Sequence, residues 1–385
     1  MKIKLLIIFS GILLGTLLGI VIIYYLISTK NYSTPLINPL SPKKSVIGFL
    51  PYWLLDNAAF DYSKYITTLS YFGVRVNGNG NIQKLLTPQQ SEPGWYALES
   101  GKADPFLNNA LKNNVSLSLM VTSGSIDAIN ELVSNPISNA KNLVVDLKPL
   151  IDKYKFSDIN LDIEYTQTAS PAARANFTKF VEQVKQALKE NETLTVEIST
   201  TDIIKNNLID PTAIGKIADN VVLMTYDYHS TDSFVTGPVA PLSGAGIASE
   251  YDVTVATEKA LDLIAPQKLI LGIPLYGYEW ESIGQAPRSA IIPNTGVVAS
   301  NRRAEELLAS CSSCSAKLDS AAEENYISYF DNNIGDYHTI FYPTENSTVK
   351  KINLASNFQL EGVALWALGY EGNNILNPLT NYKKK

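Results

Sequence analysis

Histidine and cysteine are scarce in this sequence of 385 residues: His229 and His338 are the two histidines, Cys311 and Cys314 the two cysteines. A zinc site built on the C-x-x-C pair would have to recruit two further ligands from that small stock, so no metal site is expected. Nothing points to a cofactor either. Long charge runs are also missing. With 31 basic and 37 acidic residues and a formal charge of −6, the chain has no polybasic footprint, which excludes nucleic acid as an expected partner. What is present is a chain that is 45% hydrophobic and long enough for one large domain.

The longest stretch without charge runs from Leu5 to Ile27 and follows Lys2 and Lys4. It is long enough to cross a hydrocarbon core of about 30 Å as a helix. A cleaved signal peptide is the alternative, but that would carry a shorter apolar core and a small-residue cleavage site. The expectation is a single-pass membrane anchor over residues 1–30, with the rest of the chain outside the cytoplasm. Residues 31–44, with Pro35, Pro39 and Pro42, read as an extended linker. In that oxidising setting a local disulfide between Cys311 and Cys314 is expected.

From residue 45 to 385 the pattern is of apolar strands separated by helical periods. The stretch around which it is organised is Ser157 to Tyr165, SDINLDIEY. At period two, Asn160, Asp162 and Glu164 share one face, and Ile159, Leu161 and Ile163 share the other. A parallel strand covered by helices is normally apolar throughout, so inward carboxylates are costly unless they perform chemistry. Further strands are expected at Val46–Trp53, Thr67–Val76, Ser116–Gly124, Leu194–Thr200, Asn220–Tyr228, Lys268–Gly277 and Gly362–Tyr370, with a hairpin at the NGNGN turn that starts at Asn77. Pro149 is expected to kink or divide one helix. Eight strands with intervening helices give a (β/α)8 barrel, with a doubly wound open sheet as the alternative. The interval between the seventh and eighth strands exceeds one helix, so a small α+β insertion is expected at about 281–346.

Four of these segments carry a family resemblance. INLDIEY, MTYD (Met224–Asp227), LGIPLYG (Leu271–Gly277) and GVALWALGY resemble, in order and spacing, the strand motifs of glycoside hydrolase family 18, the chitinase-like barrel enzymes. Two positions depart from the family pattern: Ser157 stands for an acidic residue, and Asn160 for the first Asp of D-x-D-x-E. Asn at that point resembles the bacterial branch of spore-cortex and cell-wall N-acetylglucosaminidases.

The resemblance implies Glu164 as general acid. It implies that Asp162 orients the substrate's 2-acetamido group, whose oxygen acts as the nucleophile, and that Tyr226 hydrogen-bonds that group. The charge of Asp162 is expected to raise the pKa of Glu164. Asn160 is expected to hydrogen-bond Asp162, Asp227 to touch the sugar or tune the acid pair, and Trp366 to form an apolar floor. Tyr52, Trp53, Tyr276 and Trp280 are further candidates for stacking on sugar faces. The implied substrate is an N-acetylglucosamine-containing polysaccharide, either peptidoglycan or chitin, and the chain is expected to act as a monomer. A chitinase-like protein that binds glycans without cleaving them is the alternative from another class.

Overall fold

A computed structural model describes residues 44–384, apart from Asn206 and Asn333. Eight parallel strands close into a barrel: β1 (Ser45–Pro51), β2 (Thr68–Arg75), β3 (Ser116–Ser123), β4 (Asp158–Ile163), β5 (Thr193–Ser199), β6 (Asn220–Met224), β7 (Leu269–Pro274) and β8 (Gly362–Trp366). Each pairs with its sequence neighbours, and β8 returns to β1 through Ser45 opposite Gly362. Closure removes the open sheet as an alternative.

The period-two pattern sorts the side chains into two populations. Ile159, Leu161 and Ile163 of β4 join Leu194, Val196 and Ile198 of β5 in the apolar layer beneath the helices, together with Phe177, Phe180, Val181 and Val184 of the helix Pro171–Ala187. Inside the barrel, Ile47, Phe49, Met120, Val222, Ile270 and Ala364 form a second, smaller apolar cluster. The interior beside β2 to β5 is polar. The Ser70 hydroxyl donates to Ser118, and Ser118 Oγ donates to Asp158 at 2.6 Å. Thr193 and Thr195 also donate to Asp158, at 2.6 and 2.9 Å.

Pro149 does not divide its helix, which runs unbroken from Pro136 to Tyr154. The proline lies on the exposed face, so the carbonyl left without a donor does not have to be buried. At the NGNGN turn, Asn77 and Asn81 close a tight loop with Val76 bridged to Ile82, and a short ribbon of Leu85–Thr87 and Gln90–Ser91 follows.

Between β7 and β8 lies a five-stranded antiparallel sheet, in the order Val297–Ser300, Tyr276–Ser282, Asp336–Tyr342, Glu324–Asp331, Ala316–Asp319. The helix Asn301–Ser310 packs on it through Ala304 against Ile327 and Ile340. A disulfide joins Cys311 and Cys314 just after that helix. The expected span from Leu5 to Ile27 lies outside the described residues. Among the described residues, no helix is long and apolar enough to cross a membrane.

Candidate active site

The carboxyl ends of β4, β5, β6 and β8 open into a cavity of about 450 Å³. Asp162, Glu164, Glu197, Tyr226, Asp227 and Trp366 all line it, with Phe49 and Met120 beneath. Asp162 is the penultimate residue of β4 and is 5% exposed. Glu164 follows the strand end, where its backbone N–H donates to Ser123 O, and its side chain opens into the cavity. The strand register thus delivers one carboxyl beneath the mouth and one at it.

Burial raises the pKa of Asp162 well above the ordinary carboxyl value, and the charge of Glu164 adds to it. Glu164 is raised as well, by loss of water around it and then by the charges of Asp227 and Asp202. The two acids titrate as one system, both raised by loss of water and by neighbouring negative charge. Besides Asp162, Asp227 acts on Glu164, in line with its expected tuning of the acid pair, and Asp202, which the sequence reading did not single out, acts on it too. Asp202 is fixed by a capping box with Ser199 at the start of the helix Thr200–Ile204.

Asp227 has a left-handed backbone, φ 61°, an uncommon conformation for a non-glycine residue that turns the chain sharply after β6. Its Oδ1 accepts hydrogen bonds from the Tyr276 and Tyr278 hydroxyls at 2.5 and 2.6 Å, which offset part of the burial that raises its pKa. Tyr226 keeps its phenolic proton, because burial and the charges of Glu197 and Asp162 push its pKa well up. Gly272 of β7 makes room for that ring: a Cβ there would meet Tyr226 Cε1 at 3.0 Å. Trp366 packs against Phe49, Phe72 and Trp53, with ring centroids 5.7, 5.0 and 6.3 Å away.

The other aromatic candidates do not line this cavity. Tyr276 is 4% exposed and serves as a donor to Asp227, and Trp280 is fully buried with its Nε1 donating to Ser230 O. Tyr52 and Trp53 lie on a 3₁₀ turn after β1, packed edge-on against each other, with Trp53 half exposed beside Trp366. Asn160 departs from expectation too. Its Nδ2 donates to Glu197 Oε1 at 2.7 Å, across to the neighbouring strand, and not to Asp162.

Glu197 and Asp158 escaped the sequence reading. Glu197 was legible in principle: in LTVEIST, Thr195 and Glu197 alternate with Leu194, Val196 and Ile198, the same inward polar pattern as on β4. Asp158 sits one place after the expected acidic position at Ser157 and has the parity that turns it into the barrel. Among the described residues, no group of three or more His, Cys, Asp or Glu gathers as a metal site.

Comparison with known proteins bears on the fold and the family. Residues 31–371 match the family Glycosyl hydrolases family 18. The cortical fragment-lytic enzyme of Bacillus anthracis is 25% identical over 327 residues, 82% of this chain and 67% of the relative. A Group IV chitinase of Ostrinia furnacalis superposes with a TM-score of 0.76 at 21% identity, covering 89% of this chain and 100% of that one. The spore cortex-lytic enzyme SleL of Bacillus cereus superposes with a TM-score of 0.68 at 22% identity, covering 90% and 76% respectively. At those identities the structural likeness speaks for the fold alone. The match over residues 31–371 carries the assignment: the chain belongs to glycosyl hydrolases family 18 and is a glycoside hydrolase.

Proposed function

We propose that the chain cleaves β-1,4 bonds next to N-acetylglucosamine, with retention at the anomeric carbon and with the substrate's own acetamido oxygen as nucleophile. The observation that carries this reading is the division of labour among the acids lining the cavity. Glu164 alone among the cavity acids described above both opens to the mouth and has a pKa raised by neighbouring charge, which suits a group that must hold and then give a proton. Asp227 is engaged by two phenols, and Glu197 is 2% exposed and held by Asn160, so neither is free to attack a sugar. Asp162, beside Glu164, orients the acetamido N–H and offsets the positive charge of the cyclised intermediate. Tyr226 donates to the acetamido oxygen, and Trp366 supports the distorted ring.

Peptidoglycan is the favoured polymer, because relatives matched over most of the chain carry names that speak of cortical fragments. Chitin is the second reading, supported by relatives named as chitinases, such as Probable chitinase 2 of Drosophila melanogaster. The presence of Glu164 argues against a role limited to glycan binding. Incubation with purified peptidoglycan and with chitin, followed by mass identification of the released ends, tests the proposal: release from peptidoglycan is expected, and release from neither polymer would refute it.

The same proposal has the enzyme act as a monomer, held at the cell surface by residues 1–30. A chain lacking residues 1–40 is expected to be soluble without detergent and to keep its activity. A full-length chain recovered free in the medium with a trimmed amino terminus would refute the anchor.

A further inference from the structure

Four acids stand along β4 and β5, Asp158, Asp162, Glu164 and Glu197, and the last of them lines the cavity without a part in the reaction so far. Glu197 of β5 is 2% exposed, and Asn160 Nδ2 donates to its Oε1 at 2.7 Å. Its Oε2 is buried and meets no donor, and neither does the buried Oδ1 of Asp162 or that of Asn160. Buried acceptors without donors are costly. Two carboxyls in this position relieve the cost only if one of them carries a proton. Lys205 is the one basic side chain lining the cavity among the described residues. The groups that face Glu197 are acids and a phenol: Asp158, Asp162 and Glu164 from β4, and Tyr226 from beyond β6.

We propose that Glu197 is a positioning residue of the reaction, which shares one proton with Asp162 and is held in place for that role by Asn160. The inference rests on the hydrolytic reading given above. In the resting enzyme the pair carries one proton and one negative charge. When Glu164 gives its proton to the leaving oxygen, the shared proton stays on Glu197 as an O–H, and Asp162 is the ionised partner facing the acetamido group. No other bond changes in the pair, and its charge stays at −1. Asn160 therefore does not weaken the site. With an amide on β4 and a carboxyl on β5, the acid has moved across to the neighbouring strand, and the amide is the donor that fixes it.

Burial and the charge of Asp162 raise the pKa of Glu197 well above the ordinary value, consistent with the proton resting there. The sign of the pH response follows. With the proton on Glu197, its O–H is a donor to ionised Asp162. Gln leaves a weaker donor there, so Asp162 takes up a proton at higher pH and the acid limb of the bell-shaped rate profile moves toward alkali, while the alkaline limb, set by Glu164 beside an unchanged charge of −1, stays in place. An added charge at position 160 repels the ionised forms of both Asp162 and Glu164, so it moves both limbs toward alkali.

The test compares wild type, E197Q, N160D and the double variant N160D/E197Q, as full chains, on soluble β-1,4-linked N-acetylglucosamine oligomers and on peptidoglycan fragments. E197Q is expected to lose about 10- to 100-fold in kcat with little change in KM, and to shift the acid limb of its profile by about one unit toward alkali. N160D is expected to shift toward alkali. The double variant, which restores the number of carboxyls, is expected to return toward the wild-type profile. Infrared difference spectra of wild type against E197Q supply a readout independent of turnover: a protonated carboxyl band at neutral pH that belongs to Glu197 and disappears in E197Q, while that of Glu164 remains in both.

An E197Q profile superimposed on that of wild type, or a change confined to KM, overturns the positioning role. Absence of the band overturns the shared proton. If wild type cleaves neither substrate while the band is present, the hydrolytic reading fails, and the service of Glu197 to it fails as well.

Discussion

Glu164 and Asp162 differ by one strand step in depth, and that step divides their work. The shallower group meets solvent and the leaving oxygen, and the deeper one is shielded and suited to a charge that must not leave. Glu164→Gln keeps the shape and most hydrogen bonds but removes the transferable proton. It is expected to cost at least the ~10²–10⁴ associated with general acid catalysis while glycan binding persists. Asp162→Asn is expected to cost nearly as much. Proton NMR of the products in the first minutes should show the β anomer, and an α anomer would exclude participation of the acetamido group. These two residues were legible in the sequence because alternation alone places them on one face. Asn160 was legible as a residue but not as a contact. Its partner lies 37 positions away on another strand, and nothing in the strand's own pattern says which neighbour an inward amide will choose.

At the scale of elements, alternation and helical periods were enough to foresee a closed eight-stranded barrel, since strands covered by helices on one side have few other ways to bury both faces. What they could not foresee is how the inserted sheet serves the site. Its strand Tyr276–Ser282 starts one residue after β7 ends, so Tyr276 and Tyr278 point their hydroxyls at Asp227 while Trp280 fills the core. An aromatic at a strand end looks the same in sequence whether it stacks on a sugar or anchors a carboxylate. The geometry depends on Gly277, where a Cβ would lie 1.8 Å from the Phe341 carbonyl oxygen of the facing strand. Gly277→Ala must therefore push two paired strands apart. A destabilisation of about 1–3 kcal/mol or more is expected from such overpacking, together with a fall in kcat as Asp227 loses its tyrosines. Urea midpoints and kinetics on the same preparation check both, and an alanine variant with wild-type stability would show that the strands separate at no cost.

For the whole molecule, the polar barrel interior should leave a mark on stability. Asp158 is buried under three hydroxyl donors, yet its pKa is raised to about 6, because loss of water outweighs those bonds. Burial also raises Asp162, Glu197, Asp202, Glu324 and Glu371. In each case the unfolded chain gives up its proton first, near pH 4, while the folded chain retains it to higher pH. Between those two points the folded state binds more protons, so stability falls as pH rises. For Asp158 the window runs from about pH 4 to about pH 6 and is worth on the order of 3 kcal/mol. That is a large share of the roughly 5–15 kcal/mol by which domains are stable. His229 works in the opposite direction, since burial lowers its pKa below 6.5 and its folding penalty disappears as pH rises. One histidine does not outweigh six carboxyls. The denaturation midpoint is therefore expected to be higher near pH 5 than near pH 8, and Asp158→Asn should flatten the slope between pH 4 and 6 by removing the largest group with a defined window. A midpoint that climbs steadily from pH 5 to pH 8, or an Asp158→Asn chain with the wild-type slope, would mean that these acids are ionised in the folded state and that water reaches the barrel interior.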